Sequence, residues 1–376
     1  MFQYWNDGAP ISRVFSYHFG MYMSESTHGA GDYNELLRAA RYVRTGNLED
    51  WHQAFWDLAE RIAGIARRAD QAGHGATASE TYLRAFTYYR IAELRLAPDD
   101  PRKLATYQKA MECWRRGMAL SVYPHESVDL PYEGHKLQAW FFPPTGGPRR
   151  AKPPCVVFLA GADVLPESNF FRGARHLTAR GMACLVFNGP GQGSTIRLLG
   201  LPSIPEYERP VTAAVDYLMT RSDIDHGRLG LMGVSMAGYY APRAACFEPR
   251  FKALVVSSAL YDVLEELYIT HPPLQKHLQW IVGAKSDAEA REKYRPFTLK
   301  GLLGRIRCPV LVTHGEKDHM VPLASAQRTY DELTVGDRTL RIFNEDEGGA
   351  EHASVDNYVQ LLPLQADWMY DRLTTA

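Results

Sequence analysis

Gly230-Leu231-Met232-Gly233-Val234-Ser235-Met236-Ala237-Gly238-Tyr239 reads as an apolar strand that runs into a turn of small residues and leaves it as a helix. A serine at such a junction sits on a tight bend that lifts its hydroxyl above the carboxyl edge of a sheet. The neighbours must be small because the backbone turns where side chains have no room. The pattern expected there is G-x-S-x-G, and here Ala237 replaces the second glycine, adding only a methyl group. Taken alone, the stretch also fits a serine in an ordinary structural turn. The surrounding chain separates the two readings.

Outward from this stretch, short β runs alternate with helical ones after residue 125. The expected strands are Leu137–Phe142, Cys155–Ala160, Ala183–Phe187, Leu229–Met232, Ala253–Ser257, Val310–Thr313 and Leu340–Phe343. Amphipathic pieces lie between them, at Phe170–Arg180, Pro210–Arg221 and Ser325–Leu333. Near-continuous apolar strands alternating with helices predict an α/β fold, a mostly parallel sheet with helices on both faces. Pro143-Pro144-Thr145-Gly146-Gly147-Pro148 reads as a surface loop between two early strands.

Before residue 120 the period is helical. Leu48, Trp51, Phe55, Leu58, Ile62, Ile65 and Ala69 recur every three or four residues, with Asn47 placed to cap the helix. Tyr82, Phe86, Tyr89 and Leu96 form a second stripe, ended by Pro98-Asp99-Asp100-Pro101. Leu104, Tyr107, Met111, Trp114 and Met118 form a third. The change of period near residues 120–127 divides the chain into an N-terminal all-helical domain, 1–124, and an α/β catalytic domain, 125–376. Aromatics of the helical part (Phe15, Tyr17, Tyr22, Trp51, Trp56, Tyr82, Tyr88 and Tyr89) are expected mostly in helix-packing core, with a few facing a substrate.

The partners of the serine follow in order. Pro309–Thr313 is a buried strand, and His314-Gly315-Glu316-Lys317-Asp318-His319-Met320-Val321-Pro322 continues from it. An acid just past a late strand orients the histidine in a serine-based triad. The strand Leu340–Phe343 and a loop then lead to His352. The order Ser235, Asp318, His352 is that of the α/β-hydrolases. Bland readings are an Asp318 that caps the next helix and a surface His352; His314 and His319 are rival bases in the acid loop. Two backbone N–H groups should form the oxyanion hole, from Met236 and, across Gly161-Ala162-Asp163, from Ala162. Asn188-Gly189-Pro190-Gly191-Gln192-Gly193 lacks the G-x-G-x-x-G spacing, and its proline removes an N–H, so it reads as a tight turn beside the pocket rather than a dinucleotide loop.

Composition narrows the partners. The chain has 376 residues, 42 basic against 43 acidic, with no Lys/Arg-rich run, so nucleic acid is not an expected partner. Hydrophobic residues make up 45% and charged ones 23%, as in ordinary soluble globular proteins. The apolar runs are strand-length and too short to span a bilayer, and Met1–Asp7 lacks a secretory pattern. Five cysteines at 113, 155, 184, 246 and 308 have neither disulfide nor zinc spacing. A cytoplasmic enzyme with no metal, no cofactor and a small-molecule substrate is the expectation.

The helical N-terminal part, the Gly-Pro-Gly-Gln-Gly turn, the elbow running into Gly238-Tyr239-Tyr240-Ala241, and the late Asp318 and His352 together resemble one group of α/β-hydrolases. It is the group of 2,6-dihydroxypseudooxynicotine hydrolase and the fermentation-respiration switch proteins. The resemblance implies an α/β-hydrolase fold with a helical cap, Ser235, Asp318 and His352 as triad, cleavage of a C–C bond beside a ketone or of an ester, and a homodimer. Some members of the group also use an acid after the strand that follows the nucleophile helix, which Glu266 or Glu265 matches in place, though both read equally well as solvated charges at a helix start; Asp163 is a further candidate for acid/base work or substrate binding. The chain departs from the group at Ala237, at Ser194, where an acid is expected, and at Val164-Leu165. Two other readings stand beside hydrolysis: a lyase on the same scaffold, with His352 as base and a carboxylate leaving, and an inert fold whose helical part is a binding module.

Overall fold

The computed structural model describes residues 4–5, 10–162 and 164–375. The chain forms two compact units, Met1–Pro124 and His125–Ala376.

The first unit is helical: α1 (Pro10–Ser26), α2 (Tyr33–Ala40), α3 (Leu48–Gln71), α4 (Gly75–Leu94) and α5 (Pro101–Ala119). Side chains of Asp32, Asn47 and Asp100 accept the first free N–H groups of α2, α3 and α5, and Pro101 opens α5 where no N–H is needed. The buried face of α3 is Trp51, Phe55, Leu58, Ala59, Ile62, Ala63 and Ala66. Leu48 is exposed, and Ile65 and Ala69 are only partly covered, which corrects the expected stripe. The alanines carry the closest approach, and the helix drifts off a strict three-four repeat. Leu104 is likewise exposed at the start of α5. Helix α4 is buried on nearly every side, so Tyr88 and Tyr89 are both core; their hydroxyls donate to Glu35 and Glu60, each at 2.7 Å.

The second unit is built on β1 (Glu126–Tyr132), β2 (His135–Phe142), β3 (Cys155–Leu159), α6 (Arg175–Ala179), β4 (Ala183–Phe187), α7 (Gly193–Leu198), α8 (Glu208–Thr220), β5 (Leu229–Val234), α9 (Ala237–Ala245), β6 (Phe251–Ser257), α10 (Gln275–Ile281), α11 (Asp287–Tyr294), β7 (Val310–Gly315), α12 (Leu323–Glu332), β8 (Arg338–Phe343) and α13 (Tyr358–Thr374). The eight-stranded sheet runs β1-β2-β4-β3-β5-β6-β7-β8. β1 and β2 pair antiparallel, β2 and β4 likewise, and the rest are parallel. Strand β1 was not expected from sequence. It buries only Leu130 and Tyr132, carries Pro131 and sits at the sheet edge, so no apolar run announces it. The helix expected over Phe170–Arg180 is regular only from Arg175; Phe170–Ala174 winds as a wider π-type turn.

Strands β3, β4 and β5 bury every residue except Val234. After β3 the chain moves outward to β4 and then crosses back to β5, so the strand order reverses between β3 and β5. In open α/β sheets the crevice at the carboxyl ends of such strands is where ligands bind. The loop that starts at Ala160 and the turn at Ser235 both open there. Among the described residues, no helix is long and apolar enough to cross a membrane.

Candidate active site

Ser235 follows the last residue of β5 and precedes α9, with φ of +61°, a left-handed conformation that costs a non-glycine residue of order 1 kcal/mol or more. Its N–H donates to the Ser257 carbonyl at 3.0 Å, and its own carbonyl accepts from Gly238 N–H at 2.6 Å. Those two bonds hold the bend from both sides. A Cβ on Gly233 would overlap the Ala237 carbonyl, and one on Gly238 would overlap the Ser258 carbonyl. The steric demand of the elbow thus falls on Gly233 and Gly238, while Ala237 packs its methyl out of solvent. Gly161 lies against the serine on the other side, where a Cβ would meet Ser235 Cβ at 3.1 Å.

His352 Nε2 is 2.8 Å from Ser235 Oγ, although 117 positions separate the two in the chain. Its Nδ1 is 2.8 and 3.0 Å from the two carboxylate oxygens of Asp318. The Asp318 side chain is wholly buried and that of His352 almost so. Burial alone pushes a carboxyl group upward, but the neighbouring His352, its hydrogen bond, His314 and the Val321 N–H outweigh it and hold Asp318 down at about 2. Asp318 is therefore an acceptor only. Nδ1 of His352 carries the proton toward it, which leaves Nε2 free to accept from the serine hydroxyl.

Three further groups hold this chain, and none was singled out from sequence. Ser258 Oγ donates to Asp318 Oδ2 at 2.9 Å and accepts from Ala353 N–H at 2.8 Å, tying the acid to the residue after the histidine. Ser258 too is left-handed, at φ +53°. The backbone N–H groups of Met320 and Val321 donate to Asp318 Oδ1 at 2.9 and 2.8 Å, as in a side-chain-capped turn. Asp356 accepts from Gly349, Ala350 and Glu351 N–H groups at 2.9–3.1 Å, which shapes the loop that delivers His352. A tight Ser-Ser-Ala at Ser257-Ser258-Ala259 after an apolar strand was the available signal for Ser258; Asp356 left none.

The rival histidines and Glu266 are bonded elsewhere. His314 is buried beside the acid, 3.6 Å from Asp318 Oδ2, with Nε2 near the Val321 carbonyl at 3.0 Å. Burial pushes it below its ordinary value. His319 turns to Glu351 at 3.0 Å. Glu266 folds onto its own segment, accepting from Tyr261 and Asp262 N–H groups at 3.0 and 3.2 Å, and partial burial raises it. Glu265 is exposed. Met236 is buried at the start of α9 and Ala162 is half-buried in the turn after β3. Asp163 lies outside the described residues. Among the described residues no group of three or more His, Cys, Asp or Glu side chains is placed to hold a metal ion. All five cysteines are buried and free.

Known proteins share this framework. The profile of the prolyl oligopeptidase family matches residues 207–374. A hydrolase of a Fusarium species is 27% identical over 390 residues, 92% of this chain and 93% of its own length. The 20-hydroxy-prefusarin hydrolase of Gibberella moniliformis is likewise 27% identical, with the same shares covered. The crystal structure of 2,6-dihydroxy-pseudo-oxynicotine hydrolase superposes with a TM-score of 0.80 at 24% identity, covering 94% of this chain and 96% of that one. With its eight-stranded sheet, its helical N-terminal region and relatives that are named hydrolases along nearly its whole length, the chain is an enzyme of the α/β-hydrolase fold.

Proposed function

We propose that the protein is a serine hydrolase that cleaves a C–C bond next to a ketone, or an ester, in a substrate of moderate size. The observation that carries this reading is the unbroken chain from Ser235 Oγ through His352 to Asp318, with both links at 2.8 Å. In this reading His352 takes the proton of Ser235 as its oxygen attacks the carbonyl carbon, and a covalent acyl-enzyme and tetrahedral oxyanions follow. Asp318 stays ionised throughout, fixing the ring and stabilising the imidazolium. The N–H groups of Met236 and Ala162 receive the oxyanion, the former at the positive end of α9. His352 then returns the proton to the leaving group, and water repeats the sequence to free the enzyme.

The small-molecule hydrolases among the relatives support the substrate class, and their likeness spans both units of the chain. On that basis Met1–Pro124 is assigned to the substrate pocket and His125–Ala376 to catalysis. A homodimer, from the resemblance, and a cytoplasmic setting, from five free cysteines, belong to the same proposal.

A fluorophosphonate probe tests the nucleophile. It is expected to label the protein once, at Ser235, and not to label Ser235→Ala; undiminished labelling of that variant removes Ser235 from the role. Hydrolysis in ¹⁸O-water should also place solvent oxygen in the acyl product, whereas elimination of a carboxylate would leave it unlabelled.

A further inference from the structure

The Gly-Pro-Gly-Gln-Gly turn between β4 and α7 has no part in the chemistry described so far, yet its glutamine reaches into the site. Gln192 is buried, and its Nε2 donates to the carbonyl of Ala160 and, at 3.2 Å, to that of Gly161. Carbonyl oxygens accept only, so the end of the amide facing them is the NH₂ group. The other end, Oε1, accepts from the Tyr207 hydroxyl at 2.9 Å. The tyrosine is itself fixed: fully buried, it stacks on Tyr240 of α9 with ring centroids 3.6 Å apart and 8° between planes. The turn is shaped to allow this contact, since a Cβ on Gly189 would clash with the Tyr207 hydroxyl oxygen.

The carbonyl of Gly161 and the N–H of Ala162 belong to one planar trans peptide and point in opposite directions. Holding the first therefore aims the second. Gly161 is also the residue packed against Ser235, so the aimed N–H belongs to the segment beside the serine. We propose that Gln192 is a positioning residue for the oxyanion hole: by clamping the Ala160 and Gly161 carbonyls it directs the Ala162 N–H at the oxygen of a carbonyl attacked by Ser235. The assignment rests on the serine-hydrolase reading above. A simpler role, satisfying two carbonyls at the end of β3, would affect stability but not the transition state selectively.

The test compares wild type, Gln192→Glu, Gln192→Ala and Tyr207→Phe, with Ser235→Ala as reference. Each is measured for fluorophosphonate labelling rate, for kcat and KM on p-nitrophenyl acetate, and for affinity toward a trifluoromethyl ketone, which mimics the oxyanion once the serine adds to it. Gln192→Glu keeps the shape but replaces the donor. Loss of an oxyanion-hole donor costs about 10²–10³ in kcat, so a misaimed one is expected to lower kcat, labelling rate and inhibitor affinity together by about 30- to 300-fold, with KM within about 3-fold. Tyr207→Phe, which frees the amide to rotate and gives up a longer bond to the Pro190 carbonyl at 3.3 Å, should lower the same three quantities about 3- to 10-fold, and it carries the test should the Gln192 variants fail to fold. A folded Gln192→Ala, or Tyr207→Phe in its place, that keeps all three at wild-type values overturns the assignment while leaving the nucleophile reading intact. Labelling and turnover that survive in Ser235→Ala overturn the nucleophile reading and this assignment with it.

Discussion

Both units bury polar side chains, but they use them differently. In the helical unit the buried charges meet their opposites: Arg90 and Glu25 at 2.6 Å, Lys103 and Glu93 at 2.9 Å, all at most 3% exposed. In the sheet unit the buried groups Asp318, Ser258 and His352 form a chain whose far end is the half-buried hydroxyl of Ser235. Desolvation charges both arrangements alike. Oppositely charged neighbours in the first recover that cost within the fold. In the second, part of the hydrogen-bonding capacity is aimed at the Ser235 hydroxyl, the group proposed above to react, and two left-handed serines, 235 and 258, belong to the same arrangement. Charge pairing of the first kind serves stability; in the reading proposed above, a chain that ends on a half-buried hydroxyl serves chemistry.

The largest break in this contrast is expected from Asp318→Asn. The amide cannot hold the imidazole in the same tautomer, and kcat should fall about 10⁴-fold with the fold retained, read by steady-state kinetics beside circular dichroism. Unchanged turnover would hand the orienting role to another acid. The same pair of proteins carries a pH signature. Asp318 lies at about 2 instead of 3.8, so its ionised form adds stability above pH 4 that is lost as pH falls toward 2. The urea midpoint of wild type should therefore exceed that of the variant at pH 6, and the gap should close on acidification; a gap that widens would contradict the buried ionised acid.

In the helical unit, Glu25→Gln should leave Arg90 buried beside a neutral partner and cost roughly 3–5 kcal/mol of stability. Replacing both, as Glu25→Leu with Arg90→Met, should recover most of that loss in chemical denaturation. A double variant no better than the single one would mean that the pair does more than balance charge.

The smallest effect is the sharpest. Ser258→Ala removes a hydrogen bond to a charged acceptor, worth about 1.5–3 kcal/mol, so kcat/KM should drop about 10- to 100-fold. Ser258→Gly removes the same hydroxyl but relieves the left-handed backbone. Equal losses in both variants assign the effect to the hydroxyl on Asp318, whereas full activity in the glycine variant assigns it to strain.

Much of this was legible because it is local. Apolar runs of four to six residues marked β3, β4, β5 and β7 to within two residues, since strands buried on both faces need no alternation to be recognised. In the first unit the three-four spacing marked α3, α4 and α5 but not α1 or α2, and even there Leu48 and Leu104 belong to the pattern but not to the core. Strand β1 escaped because an edge strand with one solvated face and a proline has no apolar signature.

Sequence by itself determined the strand, turn and helix around Ser235, the order of serine, acid and histidine, and the change from helical to alternating grammar near residue 125. These follow from short-range sterics and from periodicity, which any window of the chain contains. Only the tertiary structure decided that Ser258 would meet Asp318 across 60 positions and that Gln192 would reach Gly161 across 31. Such meetings depend on strand order. Because β4 and β5 flank β3, loops distant in the chain converge over one end of the sheet, and their side chains must satisfy one another there.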